Sequence, residues 1–453
     1  MFFNFNKRIL YLCFAIVIPA AQMPIFAQTQ DVILVNKIET PSKYVDQTGG
    51  MTADELVAYA LANNAELEAV RSEVEAAKAL IKQADLRANP NLELSGSKNP
   101  FTPSNSLMVK GALPLELYGR RSARVKVAEQ EAQVRRQVLT DRERLLAAEV
   151  RSKFGMTLAL ILKLFFVEET LTVTTQNYRL VAARVNEGKT APLEQNIEAV
   201  ELNRIRAMRE TSEGQAEIAL LELKNVVGMP PETPLRLRGD FSDLLNPLPP
   251  AEITVEQALQ NRPDLQTARA LVDLSEARIE QARVRGKLDA SVSAGYQRMN
   301  SGFPFRAFDS DAQLAPIRSV FHFISFGVTL NLPVFNKNQG TIEAAAAEKI
   351  AAQKRLEFGE LTVRREVAAG FVRYERAARA MEIYRVGVEK LAEINLGVVR
   401  QTYELGARSL LDYIAEQRRY IQVKNDFIDA QLQVYLARVE ILRAAAAPEL
   451  ITK

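Results

Sequence analysis

The chain has 453 residues, 25% charged and 47% hydrophobic, with 20 Gly and 19 Pro, a globular composition that excludes collagenous, disulfide-rich and wholly disordered chains. Lys and Arg number 58 against 55 Asp and Glu, so the bulk charge points to no nucleic-acid partner. One His, one Cys and no Trp exclude a His/Cys metal cage or a cysteine redox centre, and a Ser-His-Asp triad would have to use His322.

Residues 1–27 read as a secretory signal peptide: Lys7 and Arg8 precede the apolar run from Ile9 to Ala21, and Ile25-Phe26-Ala27 ends on a small residue. Cys13 follows Leu10-Tyr11-Leu12, which lacks the small residue expected before a lipid-modified cysteine. Residues 28–50 form an extended segment. No later apolar run approaches the roughly 20 residues that a membrane-spanning helix needs. The longest, Leu158 to Val167, is short and interrupted by Lys163. An exported chain of this kind is soluble in the periplasm, extracellular, or inserted in an outer membrane as strands.

The remainder is a duplication, 51–250 and 251–447, with a tail at 448–453. Leu61-Ala-Asn63-Asn-Ala-Glu66-Leu67 returns as Leu259-Gln-Asn261-Arg-Pro-Asp264-Leu265. Leu113-Pro114-Leu115 returns as Leu332-Pro333-Val334, and Gly188 with Leu193-Glu194 as Gly406 with Leu411-Asp412. The offset grows between the first and second matches, which places extra residues of the second copy in a loop between about Met299 and Arg318. Each copy reads helix, strand, strand, long helix, helix, so the fold class is mainly α with a small β part. Strands are expected near 91–97 and 106–114 and again near 290–299 and 319–332. Long helical hairpins are expected over 118–228 and 336–447.

The stretch from Tyr118 to Val185 has no proline and predicts one helix of about 100 Å, more than a compact domain requires. Its first residues carry Arg120, Arg121, Arg124 and Lys126, a basic cluster that suits a solvated face, lipid head groups or ion pairs. The returning helices keep a seven-residue frame: Leu193, Ile197, Val200, Ala207, Gly214, Ile218 and Leu221 in the first copy, Leu410, Ile414, Ile421, Ile428, Tyr435 and Leu442 in the second. A second stripe, Tyr413, Tyr420, Phe427, Val434 and Ile441, implies more than one packing neighbour. In the last strand, Val320, His322, Ile324, Phe326, Val328 and Leu330 share one face, and the opposite face becomes polar at Ser325, Gly327 and Thr329. The same alternation also suits a small soluble sheet capping a helical bundle; for a barrel, four strands cannot close a lumen, so several chains must contribute.

These motifs together resemble the outer membrane efflux protein family, the TolC-like exit ducts of tripartite pumps, over about residues 50–447. They are Asn261-Arg-Pro-Asp-Leu265, Leu332-Pro-Val-Phe-Asn336 entering a long helix, Tyr403-Glu-Leu-Gly406 with Ser409-Leu-Leu-Asp412, and the duplication itself. The resemblance implies a homotrimer in which each protomer gives four strands to a twelve-stranded barrel and its helices to a periplasmic tunnel. It implies a Gram-negative outer-membrane location with a periplasmic adaptor (membrane fusion protein), an inner-membrane RND-type pump and outer-membrane lipid as partners, no enzymatic activity, and no cofactor. Leu113-Pro-Leu-Glu-Leu-Tyr-Gly119-Arg120-Arg121-Ser-Ala-Arg124 resembles the cobalt-zinc-cadmium heavy-metal subgroup. Ducts for drugs, for solvents or for secreted polypeptides stay open as alternatives, as does a coiled-coil adaptor or structural protein.

The turns at 184–196 and 401–413 form the far end of such a tunnel. Gly188 and Gly406 suit the left-handed residue that ends a helix. By position relative to the turn glycine, the resemblance assigns Tyr403, Arg408 and Asp412 to the periplasmic gate and Glu194 to the acidic position of the first turn. Ser409 and Asp412 equally suit a capping box, and the two roles are compatible. No residue is assigned to a metal, and a passive duct needs none.

Overall fold

The structure is a computed structural model that describes residues 43–101, 104–241, 251–308 and 311–451. The signal peptide with Cys13 and most of the expected extended segment lie outside the described residues. All the described residues belong to one unit, Thr40–Lys453.

In chain order the elements are α1 (Ala53–Asn63), α2 (Ala65–Asp85), β1 (Asn91–Lys98), β2 (Asn105–Pro114), α3 (Arg120–Asn186), α4 (Pro192–Val227), α5 (Ala251–Asn261), α6 (Pro263–Arg285), β3 (Asp289–Phe308), β4 (Leu314–Asn331), α7 (Gln339–Ile383), a π-helical turn (Tyr384–Glu389), α8 (Lys390–Glu404) and α9 (Leu410–Ala445). At 67 residues α3 is about 100 Å long. The second long helix is interrupted by the π-turn, which the sequence reading did not foresee.

The four strands form one antiparallel sheet in the order β1-β2-β3-β4. Its register puts Leu94, Val109, Tyr296 and Ile324 on one face and Glu93, Lys110, Gly295 and Ser325 on the other. The first face continues through Leu92, Val292, Phe326, Val328 and Leu330, all exposed in the single chain. His322 shares that face, its Nδ1 lying 2.6 Å from the Tyr296 hydroxyl. On the second face Glu93 stands opposite Lys110, and Ser97 and Ser106 hydroxyls are 2.9 Å apart. The extra residues of the second copy lengthen the strands instead of forming a loop. β3 has 20 residues and β4 has 18, and pairing resumes past a shift between Gly302 and Arg306.

The basic cluster joins sheet to helices. Arg124 donates to Glu116 at 2.5 Å and to the carbonyls of Ala84 and Leu86, while Arg121 holds Asp85 at 2.7 Å. Arg120 donates to the Lys287 carbonyl at 2.7 Å and faces Asp289 at 3.5 Å. These guanidiniums satisfy chain ends where helix and strand meet, so ion pairing and carbonyl capping prevail over the solvated face. The chain enters α3 through left-handed Glu116, Tyr118 and Gly119, and enters α7 through left-handed Asn338.

The main core lies where α1, α3, α4 and α9 meet, around Phe154, Leu158, Ile161, Leu223 and Tyr435. Tyr44 and Val45, from the expected extended segment, are buried there, and Val45 and Met51 bridge to Leu237. The expected tail is docked as well: Leu450 is buried and its carbonyl accepts from Arg151 at 2.9 Å. In α9 the first frame is buried through Leu410, Ile414, Ile421, Ile428, Tyr435 and Leu442. In α4 most of the frame faces outward instead: Leu193, Val200, Ile218 and Leu221 are exposed, Ile197 is half-buried against Leu410 and Tyr413, and Leu202, Ile205, Leu220 and Leu223 fill the core.

Candidate functional site: the hairpin turns at the end of the helices

Both long helices end in the same motif. The Gly188 amide donates to the Val185 carbonyl and Lys189 to Arg184; Gly406 donates to Tyr403 and Ala407 to Thr402. The glycines have φ of +70° and +76°, which a side chain would strain, so both turn positions favour glycine.

Each returning helix then starts differently. Pro192 opens α4, with Glu194 in its first turn, where a carboxylate complements exposed backbone amides. At α9 the Ser409 side chain accepts from the Asp412 amide at 3.2 Å, while Asp412 Oδ2 accepts from the Ser409 amide at 3.2 Å and hydroxyl at 2.9 Å. Those bonds from Ser409 hold the exposed Asp412 carboxyl below the usual carboxylate range. Asp412 is thus a helix cap in the single chain. Arg408 is exposed and has no ion-pair partner among the described residues.

Tyr403 and Tyr413 stack with ring centroids 5.8 Å apart and planes 10° apart, beside Leu396, Val399, Leu410 and Ile414. The Tyr413 hydroxyl accepts from Asn177 Nδ2 of α3 at 2.9 Å. Burial, and then the Glu194 charge, push the Tyr403 phenol above the usual tyrosine range. The end of the hairpins therefore brings Tyr403 near Glu194 and Arg184, and leaves Arg408 and Asp412 on the outer surface of the turn.

Two acidic residues here escaped the sequence reading. Glu198 and Glu201 of α4 are each 1% exposed. Glu201 accepts from Arg204 at 2.7 Å and from Arg418 of α9 at 2.6 Å, and these partners outweigh burial to keep its carboxyl below the usual range. Glu198 has no hydrogen-bond partner among the described residues, and burial, then Glu201, push it up to about 7. Their spacing of three from one another, beside the apolar frame of α4, was the available signal. Among the described residues no group of three or more His, Cys, Asp and Glu side chains is placed to hold a metal ion.

The sequence profile of the outer membrane efflux proteins matches residues 56–229 and 254–447. The cobalt-zinc-cadmium resistance protein CzcC of Cupriavidus metallidurans is 23% identical over 408 residues, covering 88% of this chain and 90% of that protein. The outer membrane protein OprJ of Pseudomonas aeruginosa is 25% identical over 416 residues, 86% of this chain and 82% of its own length. A crystal structure of CusC superimposes with a TM-score of 0.70 at 19% identity, covering 94% of this chain and 98% of that one, so the two share a fold. With paired helical hairpins, a sheet whose one face is apolar and a profile match through both copies, the chain belongs to the outer membrane efflux protein family, as an outer-membrane channel with a periplasmic helical tunnel.

Proposed function

We propose that the protein is the outer-membrane exit duct of a tripartite pump for heavy-metal cations, working as a homotrimer with a periplasmic adaptor and an inner-membrane RND-type pump. The carrying observation is the four-stranded sheet, apolar on one face, with both outer edges unpaired among the described residues. Strands in lipid need closed pairing, so β4 of one protomer joins β1 of the next, and three chains give twelve strands. The outward frame of α4 and the exposed Leu361, Val372, Ile394 and Val398 of α7 and α8 support the same assembly, since apolar stripes on two sides of one chain suit ring closure. The cation cargo rests on the similarity to a cobalt-zinc-cadmium resistance protein.

Tyr403, Arg408, Asp412 and Glu194 form the periplasmic aperture in this reading. Three Asp412 carboxylates around one axis repel one another and attract cations. Native mass measurement in detergent tests the trimer, and a monomer at working concentration overturns it. Deletion in the host tests the cargo: sensitivity to transition-metal salts is expected to rise more than sensitivity to hydrophobic drugs, and the reverse order favours a drug duct.

A further inference from the structure

Glu198 stands one turn beyond Glu194 on α4, and among the described residues it is the only carboxylate with both oxygens buried and unpartnered. The burial is complete within one chain, so a neighbouring copy cannot reach it while these helices stay packed. Its own helix presents Glu194 and Glu201. Tyr403 of α8 and Tyr413 of α9 both sense its charge. Three of the nearby cations are paired elsewhere, Arg204 and Arg418 with Glu201 and Arg400 of α8 with Glu404, and Arg184 of α3 lies close enough to lower the Tyr403 phenol slightly but makes no hydrogen bond to Glu198. From α3, Asn177 is bonded to Tyr413 and Tyr178 to Gln195. An ionised carboxylate without a partner is expensive to bury, so the site either takes up a proton or opens to water.

We infer that Glu198 is a proton-operated wedge in the end of the tunnel: protonated, it fits the packing of α4 against Tyr403 and Tyr413, and ionised, it drives these helix ends apart. The inference rests on the reading that this end is the aperture. The sign follows from linkage. A carboxyl that binds its proton more tightly when packed than in water favours the packed state at low pH. Raising the pH from about 4.5 toward about 7 shifts the balance toward opening by up to about tenfold per pH unit in each protomer, and the effect then levels off. Neighbouring groups do not share this window, because Asp412 and Glu201 lie below the usual carboxylate range and Tyr403 and Tyr413 above the tyrosine range. Glu169 of α3 is also raised by burial, with Lys424 and Glu393 as its charged neighbours, and serves as a control.

The test is single-channel recording of the full-length protein in planar bilayers between about pH 5 and pH 8. The parent and Glu169→Gln are expected to open at least about tenfold more often at the alkaline end, while Glu198→Gln stays at the acid level throughout. Glu198→Met, apolar and similar in size, is expected to match Glu198→Gln and replaces it should the amide prevent trimer assembly. A parental pH profile in the Glu198 variants, or a flat profile in the parent, overturns the inference. The Tyr403→Phe/Arg408→Ser double variant separates the two readings. If it conducts like the parent at every pH, the aperture assignment falls; if it opens while Glu198→Gln keeps the parental profile, only the role of Glu198 falls.

Discussion

Asn64 and Arg262 occupy the same place in the two copies and do the same work with different chemistry. Asn64 Nδ2 donates to the Val226 carbonyl at 2.9 Å, and its Oδ1 caps α2 at the Leu67 amide. Arg262 reaches the corresponding Ala444 carbonyl at 3.4 Å, and also holds Asp264 at 2.6 Å and Glu366 at 2.7 Å. Each ties the bend between two short helices to the end of a returning helix. Arg262→Met leaves Asp264 without its cation and Glu366 with only the more distant Arg443 at 3.9 Å and Arg365 at 4.0 Å, and is expected to cost about 3 kcal/mol, the low end for a buried pair because Asp264 keeps part of its surface in water. Denaturant unfolding measures it. The matching helix ends also differ: Gly228 is left-handed with φ of +78°, and its counterpart Ala446 is left-handed with φ of +50°. Ala446→Gly removes that strain, and a gain of about 1 kcal/mol is expected in the same assay. The Asn-Arg-Pro-Asp-Leu motif was legible in the sequence, but its purpose was not, because Glu366 lies 104 residues away from Arg262.

At the scale of the helix, period was legible and direction was not. The seven-residue frame of α9 is buried within the chain, whereas most of that of α4 points outward, and both frames look alike as strings of apolar residues. Which side a stripe faces depends on neighbours that a single sequence does not name. The same limit hid Glu198, a charged residue beside an apolar frame that reads as solvated until α8 and α9 cover it. Two substitutions separate the sides. A Cβ at Gly155 of α3 would lie 2.4 Å from the Tyr435 ring of α9, in a core with no room to yield. Gly155→Ala is therefore expected to destabilise the chain itself by about 1–3 kcal/mol, seen as a lowered unfolding midpoint. Ile218→Lys, on the exposed frame of α4, is expected to leave the helical circular dichroism of the chain intact and to shift the oligomer toward monomer in native mass measurements.

For the whole molecule, the alternation along the strands decides what touches lipid. Four strands and their approximate places were legible from period two, while the extra length of β3 and β4 was not, because turn-like residues such as Gly302 and Pro304 sit inside the lengthened hairpin. Phe326 and Ser325 are adjacent in β4 and point to opposite faces, Phe326 beside Ala294 and Ser325 beside Gly295. If the face of Phe326 meets hydrocarbon, an arginine there costs about 2–4 kcal/mol at mid-membrane depth and impairs insertion. An arginine at position 325 stays in water inside the barrel, so the protein inserts normally and its conductance or ion preference changes instead. Phe326→Arg is therefore expected to deplete the protein from the outer-membrane fraction, and Ser325→Arg to leave that fraction unchanged while lowering cation preference in bilayers. Equal behaviour of the two variants would mean that both faces of the sheet meet the same medium, which a closed barrel does not allow.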